Sequence, residues 1–186
     1  FRITNEEINE YLKNPSKPQL KLLTTKGSEM GPDFVTIARK SNFESQDAES
    51  INEVLVSFFD QLKKCGAEFG YRTASEISRL IGSLSYLDNT ISKNTKIDIA
   101  IMQKLLPKLH GSRSKLIPVL TSLAKLCITD AVRDFESKDE DFRKAYLTSV
   151  DKIENKEKIT YPVSFEKISN MYKNAIDNGF TSYAEA

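Results

Sequence analysis

Apolar residues recur at intervals of three and four over most of the chain beyond residue 46. Ile51, Val54, Leu55, Phe58, Phe59, Leu62 and Cys65 form one stripe of an amphipathic helix over about 47–65, with Gly66 placed to end it. Ile77, Leu80, Ile81, Leu84 and Leu87 predict a second helix over 73–87, and Thr73 and Glu76 have the spacing of a capping box at its start. A third helix is predicted over 96–107, with Ile97, Ile101, Met102 and Leu105 inward and Pro107 at its end. A fourth, over 113–133, carries Leu116, Val119, Leu120, Leu123, Leu126 and Cys127 on one face. Pro118 falls early in it, where a missing N–H matters less than in mid-helix. A last helix over 164–177 turns Phe165, Ile168, Met171, Tyr172 and Ala175 to the core and stops at Asn178-Gly179.

The remaining stretches are less regular. Phe1-Arg2-Ile3 reads as the end of a strand, and Thr4 with Glu7 forms a capping box for a short helix to Lys13, stopped by Asn14-Pro15-Ser16-Lys17-Pro18. Leu20–Thr24 and Phe34–Ile37 are two candidate strands of a hairpin. Residues 134–158 hold eight acidic and six basic side chains, yet Phe142, Tyr146, Val150 and Ile153 keep helical spacing. A solvated helix with a thin apolar stripe is expected there, and a disordered linker is the alternative. The pattern predicts a mainly α fold, a helical bundle with a small N-terminal β element. It divides into residues 1–46, a helical unit over 47–135, and a charged helix or linker with a C-terminal helix over 136–186.

Composition narrows the chemistry. With 186 residues, 39% of them hydrophobic, the chain can bury a core without a disulfide or metal staple. A net charge of +1 argues against a histone-like protein or a basic nucleic-acid coat. No apolar run approaches the roughly 18 residues that cross a membrane. No secretory signal is visible, so a cytoplasmic protein is expected. Cys65 and Cys127 sit in apolar helical stretches and read as buried small residues. His110 is the single histidine, so neither a four-ligand zinc site nor a Cys/His nucleophile pair can be assembled. No phosphate-cradling loop of the GxxxxGK[ST] type occurs, and Glu166, Asp177 and Glu185 have no paired-carboxylate context. No metal site and no self-contained catalytic apparatus is expected, and a stand-alone enzyme is the least supported reading. The start at Phe1, within an apparent strand, reads as a fragment or processed chain.

Three stretches carry a resemblance: Glu68-Phe69-Gly70-Tyr71-Arg72-Thr73-Ala74-Ser75-Glu76-Ile77, then Asp98 through Arg113 with its QKLLPKLHGSR segment, and the tail Gly179-Phe180-Thr181-Ser182-Tyr183-Ala184-Glu185-Ala186. Together they resemble the C-terminal part of McrB-like AAA+ proteins, the NTP-driven subunits of modification-dependent restriction systems. The resemblance covers residues 48–186, with Phe1–Ile3 matching a strand near the end of the NTPase core and 14–46 a subfamily insertion. It implies a helical lid subdomain plus a C-terminal extension, with the Walker A, Walker B and sensor 1 motifs upstream. It also implies GTP or ATP with Mg²⁺ in the intact protein, a ring of like subunits, an McrC-like nuclease subunit as partner, and DNA as an indirect one. The fragment itself would have no turnover and no catalytic residue.

Under that resemblance Arg72 matches the sensor 2 arginine, with Gly70 and Tyr71 completing the Gly-x-Arg at the start of a helix. A guanidinium there can contact a β- or γ-phosphate, and the helix N-terminus adds unpaired N–H groups. The plain alternative is a surface arginine bonded to Glu68 or Glu76. A second constellation needs no resemblance. Residues 92–115 carry five lysines and one arginine against a single aspartate. Lys104, Lys108, His110, Arg113 and Lys115 are candidates for contact with a phosphate of nucleotide or DNA or with an acidic partner, and His110-Gly111-Ser112 for an anion-binding helix start. The alternative is a solvated helix face. No aromatics interleave as they do in single-strand binders. Phe58, Phe59, Phe69, Tyr71 and Tyr86 read as packing residues. The competing function is a helical module that docks protein or DNA with no nucleotide role.

Overall fold

A computed structural model of the chain describes residues 4–13, 48–128, 139–147 and 159–186. The strand expected at 1–3, the hairpin within 20–37, residues 129–133, Val150 and Ile153 lie outside them.

The fold is mainly α-helical, with seven α-helices and one two-stranded sheet among the described residues. Helix α1 spans Asn5–Lys13. Its capping box forms as the sequence predicts: the Glu7 N–H donates to Thr4 Oγ1 at 3.2 Å and the Thr4 N–H to Glu7 Oε2 at 2.8 Å. Ile8 and Leu12 are buried, and α1 packs on α2, Ala48–Lys63. The buried Asn52 of α2 donates to the Leu12 carbonyl at 2.9 Å, which satisfies one of the carbonyls that a helix end leaves open. Gly66, at φ 72°, closes α2: its N–H reaches the Lys63 carbonyl at 3.1 Å, and the Ala67 N–H reaches Leu62 at 3.0 Å.

Helix α3 covers Tyr71–Leu87. Helix α4, Lys93–Ala100, starts at Ser92, whose Oγ accepts the Thr95 N–H at 3.1 Å. It runs on into a wide π-type turn, Ile101–Leu105, and a tight turn, Leu106–Lys108. Strand β1 is His110–Ser112 and leads directly into α5, Arg113–Leu126. Helix α6 is the single turn Asp139–Phe142, continued by a second wide turn, Arg143–Leu147. Helix α7, Pro162–Asn178, is followed by β2, Phe180–Ser182, and a short turn, Tyr183–Glu185.

The centre of the molecule is α7 packed along α5, with α2 against α5 and α4 against α7. Leu116, Leu120 and Leu123 join Phe165, Ile168 and Met171, together with Phe58, Phe59 and Leu62 and with Ile97, Ile101 and Leu105, in one core. The stripe residues of α2, α4, α5 and α7 read from the sequence face this core, as do Ile77, Leu80 and Ile81 of α3. Phe142 and Tyr146 stack at 5.1 Å, so the charged segment folds at least over 139–147. Lys125 lies 5.4 Å over the Phe142 ring and pairs with Asp139 at 2.9 Å. Both cysteines are buried, and neither is in a disulfide. No helix among the described residues is long and apolar enough to cross a membrane.

Three expectations change. The second helix begins at Tyr71 with Gly70 as its N-cap, so Thr73 sits inside the first turn and the Thr73–Glu76 capping box does not form. The fourth helix ends at Leu126, not near 133. The Cys127 carbonyl accepts the N–H groups of Thr160 and Tyr161, and Ile128 bridges Ile159, so the chain entering α7 takes the place of a further turn. Tyr86 is 79% exposed and does not belong to the core. The small sheet of the described residues is the antiparallel pair β1–β2, with Gly111 opposite Thr181.

Gly179 ends α7 at φ 74°, its N–H bonded to the Ala175 carbonyl at 3.1 Å. An added Cβ would meet nothing within 4 Å, so the left-handed backbone alone opposes a side chain. Gly179→Ala is expected to cost about 1–2 kcal/mol in urea unfolding, and a change below about 0.3 kcal/mol would contradict this account.

Candidate functional site

The site is built around the first turn of α3. Phe69 is fully buried and meets Phe59 edge-on, with ring centroids 5.2 Å apart. That contact fixes the chain one residue before Gly70. Gly70 enters the helix in an extended conformation, with no side chain to cap the N–H groups that follow, and its carbonyl accepts the Ala74 N–H at 3.1 Å. Tyr71 packs on Tyr11 of α1, ring centroids 4.8 Å apart, and the Tyr11 hydroxyl bonds Ser75 Oγ. Both sides of the turn are thus held, and Arg72, between Tyr71 and Thr73, projects outward with its side chain 93% exposed.

Arg72 Nε donates to Glu76 Oε1 at 3.1 Å, and Lys104 Nζ, from the wide turn after α4, donates to Glu76 Oε2 at 3.1 Å. Lys104 and then Arg72 hold the Glu76 carboxyl below the usual carboxylate range. Lys108 is partly buried, with its amine 3.4 Å from the Glu68 carbonyl. Burial pushes its pKa down, against the pull of the Glu68 and Glu76 carboxylates. Glu68 Oε2 is itself buried with no hydrogen-bond partner.

The fold therefore gathers Arg72, Lys104 and Lys108 about two carboxylates, Glu68 and Glu76. His110 is on β1, and Arg113 and Lys115 are in the first turn of α5. His110 is exposed and its Nδ1 lies 3.2 Å from the Lys108 carbonyl. Arg113 and Lys115 are exposed, and the Lys115 methylenes flank Gly111. The anion-binding helix start expected at His110–Ser112 is a strand instead, and the first N–H of α5, on Arg113, is bonded to the Gly179 carbonyl at 2.8 Å. β1 lies in the second stretch of the resemblance and β2 in the third, so the fold joins the two stretches directly.

Cys65 donates to the Leu62 carbonyl at 3.2 Å, and burial pushes its thiol pKa up, which suits a packing role. Among the described residues no three His, Cys, Asp or Glu side chains are grouped to hold a metal.

Sequence reasoning passes over Asp98. It is 2% exposed and accepts the Val163 N–H at 2.9 Å and the Ser164 N–H at 2.8 Å, while Ser164 Oγ donates to its carbonyl at 3.1 Å. The signal available was an acidic residue in a row of buried positions, between Ile97 and Ala100.

No curated protein and no solved structure matches the chain. One family model, a domain of unknown function (DUF8727), matches residues 20–180. Because that match takes in most of the sequence, the chain belongs to the DUF8727 family.

Proposed function

We propose that the chain is the helical lid and C-terminal extension of an McrB-like AAA+ NTPase, closing over GTP or ATP and passing the state of the nucleotide to ring neighbours and a nuclease subunit. The observation that carries this reading is the placement of Arg72. It stands on the first turn of α3 behind a glycine cap, fully accessible, with Lys104 and Lys108 beside it. Three cations facing two carboxylates leave an excess of one positive charge beside a helix N-terminus, and the donor set fits a phosphate.

In this reading the phosphate loop and the Mg²⁺ ligands belong to an NTPase core ahead of the lid. The nucleotide supplies the phosphoryl group. Arg72 binds a terminal phosphate oxygen, and Lys104 and Lys108 add charge that favours the anion. Tyr71, clamped by Tyr11, keeps the turn rigid, so a phosphate contact moves the lid as a body. A cytoplasmic location is part of the proposal. The rival docking-module reading draws on the basic stretch 92–115, of which Lys104 is engaged by Glu76.

The test uses the chain itself. Inorganic triphosphate titrated into labelled protein is expected to shift the amide resonances of Gly70–Thr73 with millimolar affinity, about 4 kcal/mol of binding. Unmoved resonances at that turn would remove the phosphate site. Micromolar binding would contradict the assignment of the main phosphate cradle to another domain.

A further inference from the structure

Glu76 is held on both oxygens, each by one cation from a different element. Oε1 takes Arg72 Nε from its own helix, and Oε2 takes Lys104 Nζ from the wide turn that follows α4, both at 3.1 Å. A carboxylate and a phosphate offer oxygen pairs of similar spacing, and the same donors accept either. The donor pattern around Glu76 is thus one that a terminal phosphate also satisfies. The two cations are reachable, with side chains 93% and 32% exposed. An exposed ion pair of this kind is weak and screened, so an anion of higher charge can displace the carboxylate.

We propose that Glu76 is an internal stand-in for phosphate and that Lys104 is a second phosphate ligand beside Arg72. Without an anion, the carboxylate occupies both cations. When a terminal phosphate arrives, Arg72 and Lys104 move to it together and Glu76 is left to water. This rests on the phosphate-site reading above and adds its regulation.

Two consequences follow from the geometry. Glu76 raises the threshold for binding, since a singly charged anion offers no more charge than the carboxylate it must replace. The exchange also breaks the tie between α3 and the segment carrying Lys104. That segment is a π-type turn, Ile101–Leu105, a departure from α-helical geometry often found at functional positions. Occupancy of the site is thereby felt on the rod that also carries Asp98, the cap of α7.

The experiment titrates inorganic triphosphate into the full chain at fixed ionic strength without divalent metal. Glu76→Gln keeps the shape and removes the charge, and is expected to bind about three- to tenfold more tightly than wild type. Lys104→Gln is expected to bind more weakly, and in the double variant to cancel the gain. Glu140→Gln, an equal charge change at a remote exposed position on α6, is expected to bind as wild type does. Wild-type or weaker affinity in Glu76→Gln would overturn the stand-in role, as would an equal gain in Glu140→Gln. Arg72→Ala separates the two levels. If it abolishes the response at Gly70–Thr73 while Glu76→Gln changes nothing, the phosphate site stands and the stand-in role falls. If Arg72→Ala responds like wild type, the phosphate site falls and the stand-in role with it.

Discussion

If the chain is the AAA+ lid proposed above, Arg72→Ala is expected to slow nucleotide hydrolysis by about a hundredfold or more in the assembled protein, and to leave the thermal midpoint of the chain within about 2 °C of wild type. One charged donor lost at a transferring phosphoryl group is worth roughly 2.7–4 kcal/mol of transition-state stabilisation. The folded chain loses almost nothing, because Arg72 is 93% exposed and its partner lies four residues on in the same helix. On the same reading Arg72→Lys is expected not to restore the rate, because an ammonium on a flexible stem cannot offer a planar fork to two phosphate oxygens. The decisive comparison is single-turnover hydrolysis beside thermal melting for both variants. Near-normal hydrolysis in Arg72→Ala, with saturating nucleotide and an intact ring, would make Arg72 a surface residue whose role ends at Glu76.

The helices were readable because burial on one side of a helix leaves a period that survives in sequence. Phe165, Ile168, Met171, Tyr172 and Ala175 are all buried, as their spacing requires. The Thr4–Glu7 box and the glycines at 66 and 179 are local rules with local partners, and they too could be read. What escaped depends on residues far apart. Strands β1 and β2 are three residues each, too short to show an alternation, and they exist only because α7 brings residue 180 beside residue 112. The apolar spacing of α5 gives no sign that Thr160 and Tyr161 will claim the Cys127 carbonyl and end the helix there. Thr73 and Glu76 have capping-box spacing, but Phe69 is anchored in the core and Gly70 follows it, so the helix starts at Tyr71. Freed from capping, Glu76 is available to Arg72 and Lys104. For the candidate site, then, the positions of Arg72 and Gly70 were visible in the sequence. The grouping of Lys104 and Lys108 about Glu76 and Glu68 required the fold.

Asp98 is where the same limit has its largest energetic consequence. Helix α7 has Tyr161 as its N-cap, whose side chain makes no capping bond, and begins with Pro162, which has no N–H. The Phe165 N–H already bonds the Tyr161 carbonyl at 2.9 Å, so the open donors of the first turn are Val163 and Ser164. Both end on the Asp98 carboxylate, which caps α7 from the neighbouring helix α4. The charge is buried, but two backbone donors and the positive end of a helix 17 residues long face it. Asp98→Ala leaves the buried Ser164 N–H and the part-buried Val163 N–H without this partner and is expected to destabilise the chain by about 2–4 kcal/mol. At 2–4 °C per kcal/mol for a chain of this size, the thermal midpoint falls by roughly 10 °C. Asp98→Asn keeps one acceptor oxygen and turns an amide toward the other donor, so its loss is smaller, about half as large. Hydrogen exchange adds a local readout, because the amides of Val163 and Ser164 exchange faster in Asp98→Ala, whereas those in the middle of α3 follow only the global change. A midpoint within about 2 °C of wild type, with unchanged protection at 163 and 164, would show that water replaces the carboxylate at little cost and that α7 does not depend on a cap from α4.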